Sequence, residues 1–328
     1  MEKIIFVTLS NGYFGSAWNS WEALSIEKIS CDLKKLNIKV YVSTIENILK
    51  DYDLVDGDIV IYTSSENPSI RQYVKDVMYY VDKKCQIIPS YDLLLSHENK
   101  GFQELYRKNK GIGDLEGDYF IDHQYLPNNY PFVYKTIDGS GSFGVELVNN
   151  SKQKNRLIEN KEKDTYKRKA INFLRRLKLN NEEFDIYSYN KKKFSGFVIQ
   201  DFIEGLEFDY KILVFWGKFY VLKRNIKKGD FRASGSGLFE FKEPSNAVLN
   251  YAKYIFETLD TPYASLDIAE SYVGCKLIEY QALNFGPYAL IKSPGYYTLN
   301  DGYWVFIEVT SSLEVEFSRS LAAYVSNM

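Results

Sequence analysis

Short apolar runs alternate with stretches of helical spacing through the first hundred residues. Ile4–Leu9 is a continuous run rich in β-branched residues, the pattern of a strand covered on both faces. From Trp21 to Leu36 the apolar positions Leu24, Ile29, Leu33 and Leu36 form a rough helical stripe. Ile38–Val42 and Asp58–Tyr62 predict two more strands. Ser69 is placed to cap a helix carrying Val74, Val77, Met78 and Val81, and Gln86–Ile88 is a further short strand. This alternation predicts an open, mostly parallel sheet. Ligands of such sheets lie beyond the carboxyl ends of the strands. The loop Ser10–Asn19 is therefore a candidate substrate loop, although a turn packed by its own aromatic residues reads the same letters equally well.

The pattern then changes. Phe132–Lys135 and Val145–Val148 read as strands flanking Gly139-Ser140-Gly141-Ser142-Phe143-Gly144. A dinucleotide fingerprint needs a helix to open inside such glycines, and here a strand follows. A glycine hairpin of this kind can fold over phosphates with its backbone N–H groups turned to the anion. Protein kinases use such a loop, but their lysine lies downstream of it. Here Lys135 precedes Gly139, and neither an H-R-D nor a D-F-G motif exists. A plain surface turn accounts for the six letters as well.

Residues 151–193 carry 14 Lys and Arg against 6 Asp and Glu, with Ile171, Phe173, Leu174 and Leu177 on one helix. Charges on the outer faces of an amphipathic helix are the expected pattern of a solvated surface. Beyond Gly196 strands dominate: Phe197–Phe202, Tyr210–Phe215, Phe219–Lys223, Leu266–Ile268 and Lys276–Tyr280, with a helix over Ser245–Leu259 and a hairpin turn at Trp216–Lys218.

Composition narrows the function classes. The chain of 328 residues is 45% hydrophobic and 26% charged, as expected for a globular protein of about two or three domains. A net charge of −2 gives no pull toward nucleic acid or an anionic membrane. No apolar run approaches a membrane span, and the N-terminus lacks a signal peptide's cleavage region. Cys31, Cys85 and Cys275 are scattered, so neither a zinc site nor a disulfide framework is expected, and a reducing cytoplasm is. With only His97 and His123, a Ser-His-Asp hydrolase has little support.

Read in order, Lys100, Lys135, the Gly139–Gly144 loop, Gln200 to Glu207, Arg224, Arg232, Asp267 and Glu279 form a series that resembles the ATP-grasp superfamily over nearly the whole chain. The resemblance implies an α/β (α+β) fold: a Rossmann-like domain over residues 1–110, then two ATP-clamping subdomains, 111–199 with the glycine-rich loop and 200–328 with the adenine hinge and metal site. It implies that Lys100 and Lys135 hold ATP phosphates, with the backbone of Gly139, Ser140, Gly141, Ser142, Phe143 and Gly144 closing over them. Gln200, Asp201 and Ile203 would read the adenine. Glu207 occupies the place where D-alanine–D-alanine ligases carry a glutamate for the ribose hydroxyls. Arg232, with Arg224 nearby, would face the transferring phosphoryl group, and Lys135 would share its charge. Asp267 and Glu279 would hold Mg²⁺ together with Gln281, which stands where relatives carry asparagine; Asn284 lies close enough to share that role.

Three departures mark this chain. Lys211 replaces a usual arginine, Ser234 a usual asparagine, and Gln281 the metal-site asparagine. The implied activity is ligation: ATP activates a carboxylate as an acyl phosphate, and an amine or other nucleophile displaces phosphate. A small-molecule kinase of the same fold and a nucleotide-binding regulator without turnover are the alternatives. The expected partners are a small carboxylate and a nucleophile, not nucleic acid or membrane, with a homodimer left open. No motif in the tail, from Ser293 to Met328, names a substrate.

Overall fold

The computed structural model describes residues 3–15, 24–139, 143–161, 166–191 and 194–328. The first sheet is parallel, in the order β2 (Val40–Thr44), β1 (Ile4–Thr8), β3 (Ile59–Tyr62), β4 (Gln86–Ile88). Every residue of β1 is buried, because helices cover both faces. Ile4 and Phe6 pack with Ile29 and Leu33 of the helix Ile26–Lys35, and Ile5 and Val7 with Val74 and Met78 of the helix Pro68–Val81. That second helix starts two residues earlier than a cap at Ser69 would allow. Asn67 caps it, its Oδ1 accepting from Ser69 N and Ile70 N at 2.9 and 3.3 Å. β2 is likewise shifted from the expected Ile38–Val42 toward Thr44.

The second sheet is antiparallel, in the order β5 (Gly117–Phe120), β8 (Phe197–Asp201), β6 (Phe132–Thr136), β7 (Val145–Val148). β8 belongs wholly to this sheet and runs across the division expected at residue 199. The helix Ser151–Lys161 covers it through Leu157. Two helices follow, Tyr166–Arg176 and Asn181–Lys191. Phe173 and Leu177 are 64% and 70% exposed, so the apolar stripe is not turned into a core.

The third sheet runs β13 (Gly274–Gln281), β12 (Tyr263–Ser271), β9 (Phe208–Phe215), β10 (Lys218–Asn225), β14 (Gly295–Asn300), β15 (Tyr303–Glu308), with β11 (Phe239–Glu240) on β10. The helix Asn246–Leu259, capped by Ser245, covers one face. The other face meets the first domain at one end and opens into a cleft at the other. The C-terminal helix Leu313–Ser326 returns to the first domain and packs beside Ile26–Lys35.

Candidate active site

The cleft between the second and third sheets encloses about 810 Å³ of space, part of it open to solvent. Three cationic side chains reach it. Lys100 begins the helix Lys100–Lys110, where Asn99 caps the first turn by accepting from Phe102 N at 3.1 Å. Its Nζ donates to Gly139 O at 2.5 Å and lies 3.8 Å from Glu279 Oε1, so this lysine ties the glycine hairpin to the third sheet. Lys135, on the central strand β6, is 7% exposed. Burial brings its pKa down to about 8, against the opposing pull of Glu279 and Glu104. Arg232 lines the opposite wall, its guanidinium held by Asp230 at 2.9 and 3.0 Å.

Beneath Lys135 runs a buried relay that sequence reading missed. Lys135 Nζ donates to Gln200 Oε1 (2.5 Å), Gln200 Nε2 donates to Glu104 Oε1 (2.8 Å), and Arg107 donates to the same oxygen (3.1 Å) and to Leu115 O (2.7 Å). Burial raises the Glu104 pKa, with Arg107 opposing. Glu104 and Arg107 sit at i and i+3 of one helix, which gave the only signal available in the chain.

The hairpin β6–β7 has its backbone fixed at both ends. Gly139 and Gly144 take φ of +104° and +72°, and a Cβ at Gly144 would lie 2.1 Å from Thr136 Oγ1. Phe143 is exposed at the cleft rim. Ser140, Gly141 and Ser142 lie outside the described residues, as do residues 16–19 of the expected substrate loop.

Asp201, Phe202, Ile203 and Leu206 connect the two sheets and line the cleft, with Leu115, Val133 and Ile278 as further apolar wall. Asp201 N donates to Glu116 O at 3.0 Å. Glu207 is exposed and does not line the cleft.

Asp267 and Glu279 are direct cross-strand partners, but not by simple hairpin register. The turn is tighter than Tyr272–Gly274 implies: Ser271 pairs with Gly274, and that register would set Asp267 opposite Ile278. A β-bulge between Leu277 and Glu279 inserts Ile278 and restores the pairing. The core marks the switch. Cys275 and Leu277 pack under the sheet before the bulge, Tyr280 and Ala282 after it. Ile278 and Glu279 consequently both face the cleft.

Arg224 stands behind this pair rather than on the cleft wall. It is buried, clamps Asp209 through two bonds of 2.6 and 2.7 Å, and reaches Asp267 Oδ2 at 2.8 Å. Burial holds the Asp209 pKa up at about 6 despite Arg224. For Asp267 the same burial is outweighed by Arg224 and Lys211, and its pKa falls below the ordinary value. Lys211 Nζ is 3.7 Å from Asp267 Oδ1. That buried oxygen has no hydrogen-bond partner.

An ionised, buried carboxylate with an orphaned oxygen, opposite a second carboxylate, fits a hard divalent cation. No group of three His, Cys, Asp or Glu among the described residues is arranged to hold a metal ion, so such a cation would take its remaining ligands from water and phosphate. Gln281 is turned otherwise: its Nε2 donates to Glu279 Oε1 at 3.4 Å. Asn284 does not share the site. Its Oδ1 accepts from Thr63 and its Nδ2 donates to Ser64 O at 2.6 Å, tying the third sheet to the first domain.

No family model and no curated protein matches the chain. Solved structures do. D-cycloserine synthetase DcsG is similar over 98% of this chain and 99% of its own (TM-score 0.57, 13% identity). The ATP-grasp ligase PsnB, in complex with a minimal precursor, is similar over 100% of both chains (0.53, 11%). D-alanine–D-alanine ligase from Bacillus anthracis is similar over 99% of this chain and 96% of its own (0.51, 13%). The chain has the ATP-grasp fold.

Proposed function

We propose that this protein is an ATP- and Mg²⁺-dependent ligase that activates a carboxylate as an acyl phosphate and joins it to an amine. The observation that carries the reading is the convergence of Lys100, Lys135 and Arg232 on one cleft with the orphaned Asp267 oxygen and Glu279. Three cations from three separate elements suit a polyanion, and two carboxylates among them suit the cation that accompanies it.

In this reading the adenine lies between the apolar walls Val133, Leu206 and Ile278, and the backbone of Asp201 and Ile203 meets its edge. The Asp201 N–H is already engaged by Glu116, which leaves its carbonyl. Lys135 and Lys100 hold the phosphates, and the Gly139–Gly144 hairpin closes over them and excludes water. Arg232 faces the transferring group, while Arg224 acts through Asp267 and keeps it ionised. The cation, when bound, neutralises charge on the phosphate oxygens.

A substrate carboxylate oxygen attacks the terminal phosphorus and ADP leaves. The amine then attacks the acyl carbon, phosphate departs, and a carbon–nitrogen bond remains. D-alanine–D-alanine ligase, a neighbour in fold, bears the name of a ligase, which supports this reading. The test is product analysis with ATP, Mg²⁺ and a panel of acids and amines. ADP with free phosphate is expected. ADP with a phosphorylated product would make the protein a kinase, and absence of nucleotide binding by calorimetry would refute the reading.

A further inference from the structure

The relay beneath Lys135 begins and ends in groups that bond in one sense only. The lysine ammonium can only donate, and an ionised carboxylate such as that of Glu104 can only accept. Gln200 lies between them, its amide oxygen toward Lys135 at 2.5 Å and its amide nitrogen toward Glu104 Oε1 at 2.8 Å. Turned over, the amide would set donor against donor at one end and acceptor against acceptor at the other. Gln200 is 2% exposed, so bulk water does not relieve such a clash. Among the described residues the Lys135 ammonium bonds only this amide, whose direction therefore decides where the charge is held.

Glu104 is itself fixed. Arg107 Nη1 donates to the same oxygen at 3.1 Å, and Arg107 Nη2 donates to Leu115 O at 2.7 Å. Two glycines make room for the pair. A Cβ at Gly117 would lie 2.5 Å from Glu104 Oε2, and one at Gly113 would lie 2.8 Å from Arg107 Nη2. Gly117 is also the cross-strand partner of Gln200, so the carboxylate rests against the strand pair that carries the amide. The segment from the helix Lys100–Lys110 to β5 is thus shaped around Glu104 and Arg107.

We propose that Glu104 is a positioning residue for the phosphate-binding lysine: by fixing the Gln200 amide in one direction it holds the Lys135 ammonium at the cleft wall. The proposal rests on the ATP reading above for the identity of the anion. The charge of Glu104 acts in the same sense as its geometry. Glu104 and Glu279 favour the protonated lysine, Lys100 and Arg107 oppose it, and Asp267 feels the same ammonium.

The test has two readouts on the whole chain. One is affinity for β,γ-imido-ATP with Mg²⁺ by calorimetry. The other is the titration of Lys135 in nucleotide-free protein, followed by NMR of isotope-labelled lysine and assigned by its loss in Lys135→Met. Glu104→Gln keeps the side chain's size but lets the Gln200 amide sit either way. It should weaken imido-ATP binding about tenfold and bring the lysine midpoint below that of the wild type. Gly117→Ala, which displaces the carboxylate without altering any charge, should also weaken binding. The exchange Glu104→Gln with Gln200→Glu keeps every donor an acceptor: Arg107 to the amide oxygen at position 104, that amide's nitrogen to the carboxylate at position 200, and Lys135 to the same carboxylate. It should return the lysine midpoint to the wild-type value or above and recover most of the lost affinity. Wild-type affinity in both Glu104→Gln and Gly117→Ala would overturn the inference, as would an exchange variant whose lysine midpoint stays below the wild type. If Glu104→Gln does not fold, Gly117→Ala and the exchange still decide. Failure of the wild-type protein to bind imido-ATP would instead refute the ATP reading, and the lysine titration would still decide whether Glu104 governs Lys135.

Discussion

The two ends of one sheet face share the same strands and carry opposite chemistry. On β9, Asp209 and Lys211 are followed at the same period by Leu213 and Phe215; on β10, Tyr220 and Leu222 lead to Arg224; on β12, Tyr263 precedes Asp267. The apolar end packs on the first domain and joins its core. At the charged end Asp209 and Asp267 line the cleft, with Arg224 behind them. Burial stabilises the first end in proportion to apolar area. At the second, desolvation of Asp209, Asp267 and Arg224 is offset only by their mutual pairing. Stability and binding are thus divided along the length of a strand, and a change at either end should register in a different measurement.

The largest effect should come from Arg224→Met, which leaves two buried carboxylates without their shared guanidinium. We expect a loss of about 3–5 kcal/mol in urea unfolding at pH 7. The loss should shrink at acid pH, where protonation removes the uncompensated charges. An unchanged midpoint at pH 7 would show that the pairing holds nothing together. Leu213→Ala, two residues from Lys211, should cost about 2–5 kcal/mol through the cavity it opens. Imido-ATP affinity should be unaffected, and a parallel fall in affinity would break the division between the two ends.

Proton linkage gives the next step down. Lys135 loses its proton in the nucleotide-free protein near pH 8, and only the charged form attracts phosphate. The imido-ATP dissociation constant should therefore hold steady at lower pH and rise above about pH 8, by up to about tenfold per pH unit. Lys135→Met should bind weakly at all pH values and lack this limb. Smallest is Gly144→Ala, which strains a positive φ and crowds Thr136. A cost of about 1 kcal/mol or more is expected in unfolding. Hydrogen exchange of Thr136 and Val145 should also slow less on nucleotide addition than in the parent.

Much of the site was legible because its parts lie on elements with strong local signals. Lys135 sits in a run of β-branched and aromatic residues before glycines, and Asp267 in an apolar strand where a carboxylate needs a reason. The relay through Glu104 and Arg107 was not legible, since a helix of mixed charge reads as a solvated surface until another sheet covers it. Asn284 was misread for a similar cause: its nearness in sequence to Glu279 concealed that its amide faces Thr63 and Ser64. The exposed stripe on Tyr166–Arg176 shows the converse, an amphipathic pattern that no described element buries.

By itself the sequence determined the succession of elements and the order of its polar landmarks, because strand and helix periods are local properties of a few neighbouring side chains. It also determined that the glycine hairpin joins two strands. Only the tertiary structure decided which end of the sheet face would be core and which would be cleft, since that depends on where the first domain and the C-terminal helix come to rest. It alone decided how Glu279 comes to face Asp267. A tight turn sets one register and side-chain direction alternates along a strand, so a single inserted residue at Ile278 is what turns the second carboxylate toward the first.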